Sequence, residues 1–282
     1  MSSLAGLAVL AGFEPASLVP AGHTALMVGS LDTAVVVGLM VVGLLAGIGI
    51  TALGPGGVFI TIAFAVTIGS PATVAGTAGA TNIAAGIVGS LVYARSGELR
   101  TGAGKRMAVA LSLPGAAGAL LGVRLNRAIS PVGFERVLGV MVVFAGVLVW
   151  YRSQYGARRR AIDVDSRRGL LVVGAVGFAV GVPGGLLGVG GPVLAVPLLV
   201  ALGCRLLPAL AAAQLQSVAI AGTATAGYFA QDAVSVPLLV LVGVPELVGI
   251  LAGWKIARIV DARHLKRMLA GVLVGLGSYI AL

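Results

Sequence analysis

The sequence predicts an all-α integral membrane protein built from two inverted-topology repeats of about five helical segments each. Three observations predict it. The first is composition: of 282 residues, 59% are hydrophobic and only 10% charged, and the mean hydropathy is +1.09. A soluble domain carries roughly 25% charged residues, so a surface with this few charges must largely face lipid. The second is charge placement: all 19 Lys and Arg fall in short clusters between apolar runs, and none precedes Arg95. The third is internal repetition, because a series of motifs in the first half recurs in the same order in the second.

A hydrocarbon core of ~30 Å takes about 20 apolar residues per helix. Residues 1–30 form an N-terminal segment expected on the extracytoplasmic side. The first repeat, 31–151, holds apolar segments at roughly 31–50, 55–69, 72–94, 107–126 and 134–151. A basic linker, 152–168, carries six Arg and two Asp. The second repeat, 169–282, holds segments at roughly 169–187, 189–203, 206–230, 235–257 and 265–282. The second segment of each repeat is short and opens on a Gly-rich turn, so it either crosses or re-enters. The total is therefore eight to ten membrane-spanning or re-entrant segments.

The repeats match motif by motif. Leu53-Gly54-Pro55-Gly56-Gly57 parallels Leu187-Gly188-Val189-Gly190-Gly191, and Ile68-Gly69 parallels Leu202-Gly203. Leu113-Pro114 with Gly118 and Gly122 parallels Val244-Pro245 with Gly249 and Gly253. Arg127 pairs with Arg258, and Arg136 with Arg267. An odd number of segments per repeat inverts the second relative to the first. With the N-terminus outside, sixteen Lys/Arg fall in inside loops and only Arg124, Arg127 and Arg136 outside, as the positive-inside rule requires. Both termini are then extracytoplasmic and the protein is multi-pass in the cytoplasmic membrane.

Several classes are not expected. The net charge of +10 is dispersed in loops and forms no basic face, so nucleic acid is not an expected partner. The one cysteine, Cys204, forms no intrachain disulfide, and His23 and His264 lie far apart outside the spans, so no metal and no cofactor is expected. The apolar stretch Met1 to Gly12 lacks a basic n-region, unlike a cleaved signal peptide. The spans hold neither paired acids nor a nucleophile beside a base, so an enzyme is not expected.

Inverted repeats with short, Gly/Pro-interrupted segments at corresponding positions point to a transporter whose site lies between the repeats. Helix N-termini carry free N–H groups and a partial positive charge, and glycines let an anion approach that backbone. Gly54, Gly56 and Gly57 open one short segment, and Gly188, Gly190 and Gly191 the other. The alternative for these glycines is tight turning or close helix contact. The third segments are polar for spans. One carries Thr73, Thr77, Thr81 and Asn82, and the other Gln214, Gln216, Ser217, Thr223 and Thr225. Asn82 and Gln216 stand at the same offset as the glycine motifs. Amides are costly in hydrocarbon unless they find partners or a wet cavity, so Asn82, Gln214, Gln216 and the hydroxyl of Thr77 are candidate substrate ligands. Back-bonding to their own helix is the alternative for Thr and Ser, and joining helices the alternative for the amides. Glu246, the one acid deep in a span, follows Pro245 and is a candidate proton-coupling group; a place in an aqueous vestibule, or pairing with an Arg, is the alternative.

These residues resemble the sulfite exporter TauE/SafE family, also called the toluene sulfonate uptake permease family. Gly188-Val189-Gly190-Gly191-Pro192-Val193-Leu194-Ala195-Val196-Pro197 is similar to its second-half signature. Gly54-Pro55-Gly56-Gly57 with Ala75-Gly76-Thr77 is similar to its first-half signature. Pro114 to Gly122, and Pro245 to Gly253, fit its Pro-then-Gly pattern. The chain departs from a strict repeat, with no Pro in Phe59 to Phe64 to match Pro197, and Leu210-Ala211 in place of Gly76-Thr77. The resemblance implies transport of small sulfur oxyanions, organosulfonates or related organic acids across the cytoplasmic membrane. The expected function is a secondary transporter for an anion of the sulfite, thiosulfate and sulfoacetate class, with proton coupling as an added feature. A passive anion channel and a non-transporting scaffold subunit are the alternatives. Expected partners are a small anionic substrate and the lipid bilayer, with a homodimer as one compatible assembly.

Overall fold

A computed structural model describes residues 31–52, 56–95, 101–155, 164, 166–256 and 262–281. Among them ten α-helices follow in order: α1 Thr33–Ala52, α2 Gly57–Ile68, α3 Pro71–Arg95, α4 Gly102–Asn126, α5 Pro131–Tyr155, α6 Arg167–Leu187, α7 Pro192–Ala201, α8 Leu206–Phe229, α9 Val236–Ile256 and α10 Ala262–Ala281. No strand occurs among the described residues. Seven of the helices are long and apolar enough to cross a membrane: α1, α3, α4, α5, α6, α8 and α9. Each apolar run of the sequence has become one helix. The largest boundary shift is at α4, which starts at Gly102 because Thr101 caps it, its hydroxyl accepting from Gly104 N at 3.1 Å. Hydropathy misses that first turn because Lys105 and Arg106 lie in it.

Helix pairing is set by glycine. Lipid tails are as apolar as Leu, so helices in a bilayer associate through close packing and interhelical hydrogen bonds rather than the hydrophobic effect. Along α6, Gly177, Gly181 and Gly185 recur every four residues and so share one face. A methyl on these glycines would run into backbone at Leu111, Gly115 and Ala119 of α4. From α4, Gly118 and Gly122 press against the backbone at Phe178 and Val182. The same device joins α1 to α9. Gly43 and Gly47 abut the carbonyls of Val242 and Glu246, and Gly249 and Gly253 abut Leu44 and Ile48. Thus α4 packs along α6 and α9 along α1, while α3 lies against α8 and α5 against α10.

The helices α2 and α7 have 12 and 10 residues. At 1.5 Å per residue they span about 18 and 15 Å, near half of a ~30 Å hydrocarbon core. Both are enclosed: Val58, Ile60 and Phe64 of α2, and Val193, Ala195 and Leu199 of α7, are buried. The long helices instead present Leu45, Leu113, Val140, Leu171 and Leu251 outward. Helix ends inside a membrane must have their polar groups satisfied by protein. The break between α6 and α7 is satisfied by side chains from three other helices. Tyr228 of α8 donates its hydroxyl to Gly185 O at 2.8 Å. Asn126 of α4 donates to Leu186 O at 2.8 Å, and Asn82 of α3 donates to Gly188 O at 3.0 Å. Gly188 itself turns the chain with φ +70°, a left-handed conformation that disfavours other residues.

Between α1 and α2, with Leu276 of α10 at its edge, lies an apolar cavity of about 430 Å³. The helix α5 packs directly on α7.

The glycine contacts make a testable statement. Gly181→Val and Gly249→Val each force a branched side chain into backbone and should destabilise the detergent-solubilised protein by about 3 kcal/mol or more. At Gly222 an added Cβ meets nothing within 4 Å, so Gly222→Val is the control. Thermal unfolding read by gel filtration should show large losses at Gly181 and Gly249 only; equal losses at all three sites would contradict the packing.

Candidate functional site

The N-terminal ends of α2 and α7 meet in the middle of the bundle. Both start on glycine in helical conformation, Gly56 at φ −65°, ψ −36° and Gly191 at φ −51°, ψ −42°. Neither start receives a side-chain cap. The starts of α4 and α6 are capped by Thr101 and by Ser166, the latter accepting from Gly169 N at 3.0 Å, whereas that of α8, at Arg205, also has no side-chain cap. An uncapped helix start keeps N–H donors and a partial positive charge for something else to satisfy. The two ends are not equal. The first helical residue of α7 is Pro192, which has no N–H, whereas that of α2 is Gly57.

A small enclosed cavity of about 10 Å³ lies at this meeting point. Gly57, Asn82, Gly86, Gly190, Gln214 and Ser217 are among its lining residues. A cavity of that size holds about one water, so the helix starts stand closed on each other.

The structure brings four predicted site residues to this cavity: Gly57, Asn82, Gly190 and Gln214. Asn82 is 3% exposed and joins the two starts. Its Nδ2 donates to Ala78 O at 2.8 Å and Gly188 O at 3.0 Å. Its Oδ1 lies 2.7 Å from where a methyl on Gly57 would sit, and 2.8 Å from one on Gly190. Gln214, 1% exposed, packs against Gly86 and Gly89 of α3 and keeps its Nε2 buried without a partner. Ser217 completes the lining from one turn further along α8.

The remaining predicted residues serve elsewhere. Gly56 is wedged against α1 at Ala46, Gly49 and Ile50, and Gly188 against Ala75 of α3. Gly191 faces Gln216, whose Oε1 is 3.2 Å from a methyl position there. Gln216 is fully buried, donates Nε2 to Gly177 O at 3.2 Å, and leaves Oε1 unpartnered. Thr77 accepts from Ser235 N at 3.0 Å and ties α3 to the start of α9. Thr81 back-bonds to Ala78 O at 3.0 Å. Gly54 lies outside the described residues, as does His23.

Glu246 is fully buried on α9, and both carboxyl oxygens lack hydrogen-bond partners. Thr81 of α3 lies against it, but the Thr81 hydroxyl proton is directed to Ala78 O. Glu246 is therefore off the cavity lining, though Thr81 and Asn82 are neighbours on α3.

Chemically, the cavity pairs helix-start dipoles with neutral amide and hydroxyl groups, and none of its lining residues is charged. Such a set suits a small anion held without a formal counter-cation. Among the described residues no group of three or more His, Cys, Asp or Glu could hold a metal. Two supporting residues, Asn126 and Tyr228, were not singled out from the sequence. The available signal for Asn126 was rarity: the chain has two asparagines, Asn82 and Asn126, and both are buried at the breaks.

No curated protein and no solved structure matches the chain. Residues 39–280, most of its length, match the family described as Sulfite exporter TauE/SafE. The chain belongs to the TauE/SafE sulfite exporter family, a family of membrane transporters of sulfur anions.

Proposed function

We propose that the chain is a secondary transporter that carries a small sulfur oxyanion, or an organosulfonate of similar head group, through the site between α2 and α7. One observation carries this reading. Two uncapped glycine starts converge on a small cavity whose lining includes Gln214, a residue with an unpartnered buried amide donor, Nε2. A buried donor without a partner costs about 1–3 kcal/mol, and an oxyanion removes that cost. Gly57 and Gly190 supply close backbone approach, Gln214 and Ser217 supply side-chain donors, and Gly56, Gly188, Gly191, Thr77 and Gln216 hold the ends in place.

Residues 31–151 and 169–282 are two repeats of opposite orientation. The order long, short, long, long, long runs twice along the helices. The glycine contacts of α1 with α9 use positions that correspond to those of α6 with α4. The first helix of each repeat thereby packs on the fourth helix of the other. Alternating access follows by moving one set of helices against the other. The closed contact of α5 on α7 and the apolar cavity beside α1 and α2 are the two unequal sides of that motion. Glu246 is the proton-coupling group: an enclosed carboxyl without partners is costly as an anion, and its proton would exchange when the packing of α9 on α1 and α3 opens.

Radiolabelled sulfite, thiosulfate and sulfoacetate uptake into liposomes holding purified protein tests the reading. Saturable uptake of one of them is expected. Gln214→Ala removes a donor to a charged ligand, worth about 1.5–3 kcal/mol, and should raise the half-saturation concentration about tenfold to a hundredfold. An unchanged value would remove Gln214 from the site. Glu246→Gln should abolish accumulation driven by an imposed proton gradient while leaving exchange of labelled for unlabelled anion intact. Gradient-driven accumulation equal to wild type would end the coupling role.

The orientation is tested by an impermeant maleimide on intact cells. Cys204 sits in the turn after α7 at 7% exposure, and burial raises its thiol above the usual cysteine range, so the folded wild type should stay unlabelled. Arg136→Cys at the expected outer face should label and Arg168→Cys at the inner face should not, both residues being exposed. The reverse pattern would invert the assigned topology.

A further inference from the structure

The cavity between α2 and α7 offers a hydrogen-bond acceptor as well as donors, and the acceptor's direction is fixed. Asn82 Nδ2 donates to two carbonyl oxygens, Ala78 O at 2.8 Å and Gly188 O at 3.0 Å. Only the amide nitrogen can serve both, so the two ends of this side chain are not interchangeable. Oδ1 is therefore turned to the opposite side, against Gly57 and Gly190 of the lining. Gln214, also in the lining, keeps its Nε2 buried with no partner. Ser217, whose Oγ is 3.3 Å from a methyl position on Gly190, can act in either sense.

An acceptor lone pair facing an anion is unfavourable unless the anion brings a proton to it. We propose, building on the transport reading above, that the site selects a monoprotonated oxyanion: a small anion whose own O–H donates to Asn82 Oδ1. Its unprotonated oxygens face the helix starts and Gln214. A dianion sets its lone pairs against Asn82 Oδ1 and an aprotic sulfonate leaves that acceptor buried and unanswered, so this inference narrows the substrate class above to protonated oxyanions and drops organosulfonates, thiosulfate and sulfoacetate from it. Sites built to bond a substrate hydroxyl reject analogues lacking it far more strongly than apolar sites reject a methylene.

The cavity, at about 10 Å³, holds one water-sized body, so an oxyanion enters only as α2 and α7 separate. The acceptor direction survives that movement. Ala78 lies one turn before Asn82 on α3, so this anchor travels with the side chain even when the bond to Gly188 of the moving break is lost.

The test is competition against labelled sulfite uptake at one mildly acidic pH, where sulfite is chiefly its monoanion. The competitors are hydrogenselenite, whose proton sits on oxygen, methanesulfonate, an aprotic monoanion, and sulfate, a dianion. Hydrogenselenite should compete at least tenfold better than methanesulfonate or sulfate, although it is larger than sulfite. Methanesulfonate competing within about twofold of hydrogenselenite would overturn the proposal while leaving transport intact. If sulfite is not taken up at all, the transport reading fails instead, and direct calorimetric binding of the same three anions still reads the selectivity of the site. Asn82→Ala, checked for folding by gel filtration, should bring the ratio between hydrogenselenite and methanesulfonate close to one; a preserved ratio in folded Asn82→Ala protein would assign the selectivity to another group. Selectivity in the wild type decides the matter independently of that variant.

Discussion

The governing constraint is that backbone polar groups inside a bilayer must be satisfied by the protein itself. A chain with continuous helices meets it within each helix. This chain instead leaves α6 ending at Leu187 and α7 starting at Pro192 inside the bundle, with α1 and α2 in the corresponding relation. The released carbonyls of Gly185, Leu186 and Gly188 are taken by Tyr228, Asn126 and Asn82 from three different helices. The released N–H ends at Gly57 and Gly191 receive no side-chain cap. The carbonyl ends are thus closed by side chains, whereas the two helix starts carry no side-chain cap. On the proposed reading, that asymmetry suits the breaks to an anion.

In the proposed transport cycle the glycine stripes would let such a site move. Close backbone packing between α6 and α4, and between α1 and α9, gives dispersion contact without interlocking large side chains. Helices joined along smooth faces can shift as units. An apolar cavity of about 430 Å³ lies beside α1 and α2, and α5 packs on α7. Glu246 sits where α9 meets both α1 and α3, so a change in that packing reaches its carboxyl and, through Thr81, the neighbour of Asn82.

Much of this was legible in the sequence. The ten apolar runs and the two short segments follow from hydropathy, and their ends from Gly and Pro. The match of Gly56-Gly57 with Gly190-Gly191 marked the two helix starts, and the rarity of amides in spans marked Asn82 and Gln214. Other features were not legible, for physical reasons. Asn82 and Gln216 occupy equivalent sequence positions, yet Asn82 lines the cavity while Gln216 donates to Gly177 O, because their surroundings on α6 and α7 differ. The stripes Gly43-Gly47 and Gly177-Gly181-Gly185 were hidden among 44 glycines, since a four-residue spacing says nothing about which helix it faces. Asn126 and Tyr228 act through contacts with residues 60 and 43 positions away, beyond any local pattern.

The central claim is that the two glycine helix starts bind the anion. The most direct measurement is anomalous diffraction at the selenium edge from crystals soaked in selenite. The account predicts one selenium peak between Gly57 and Gly190, within reach of Gln214 and Ser217, with the starts of α2 and α7 moved apart to admit it. A peak elsewhere, with the helix starts still closed around a water-sized space, would contradict it.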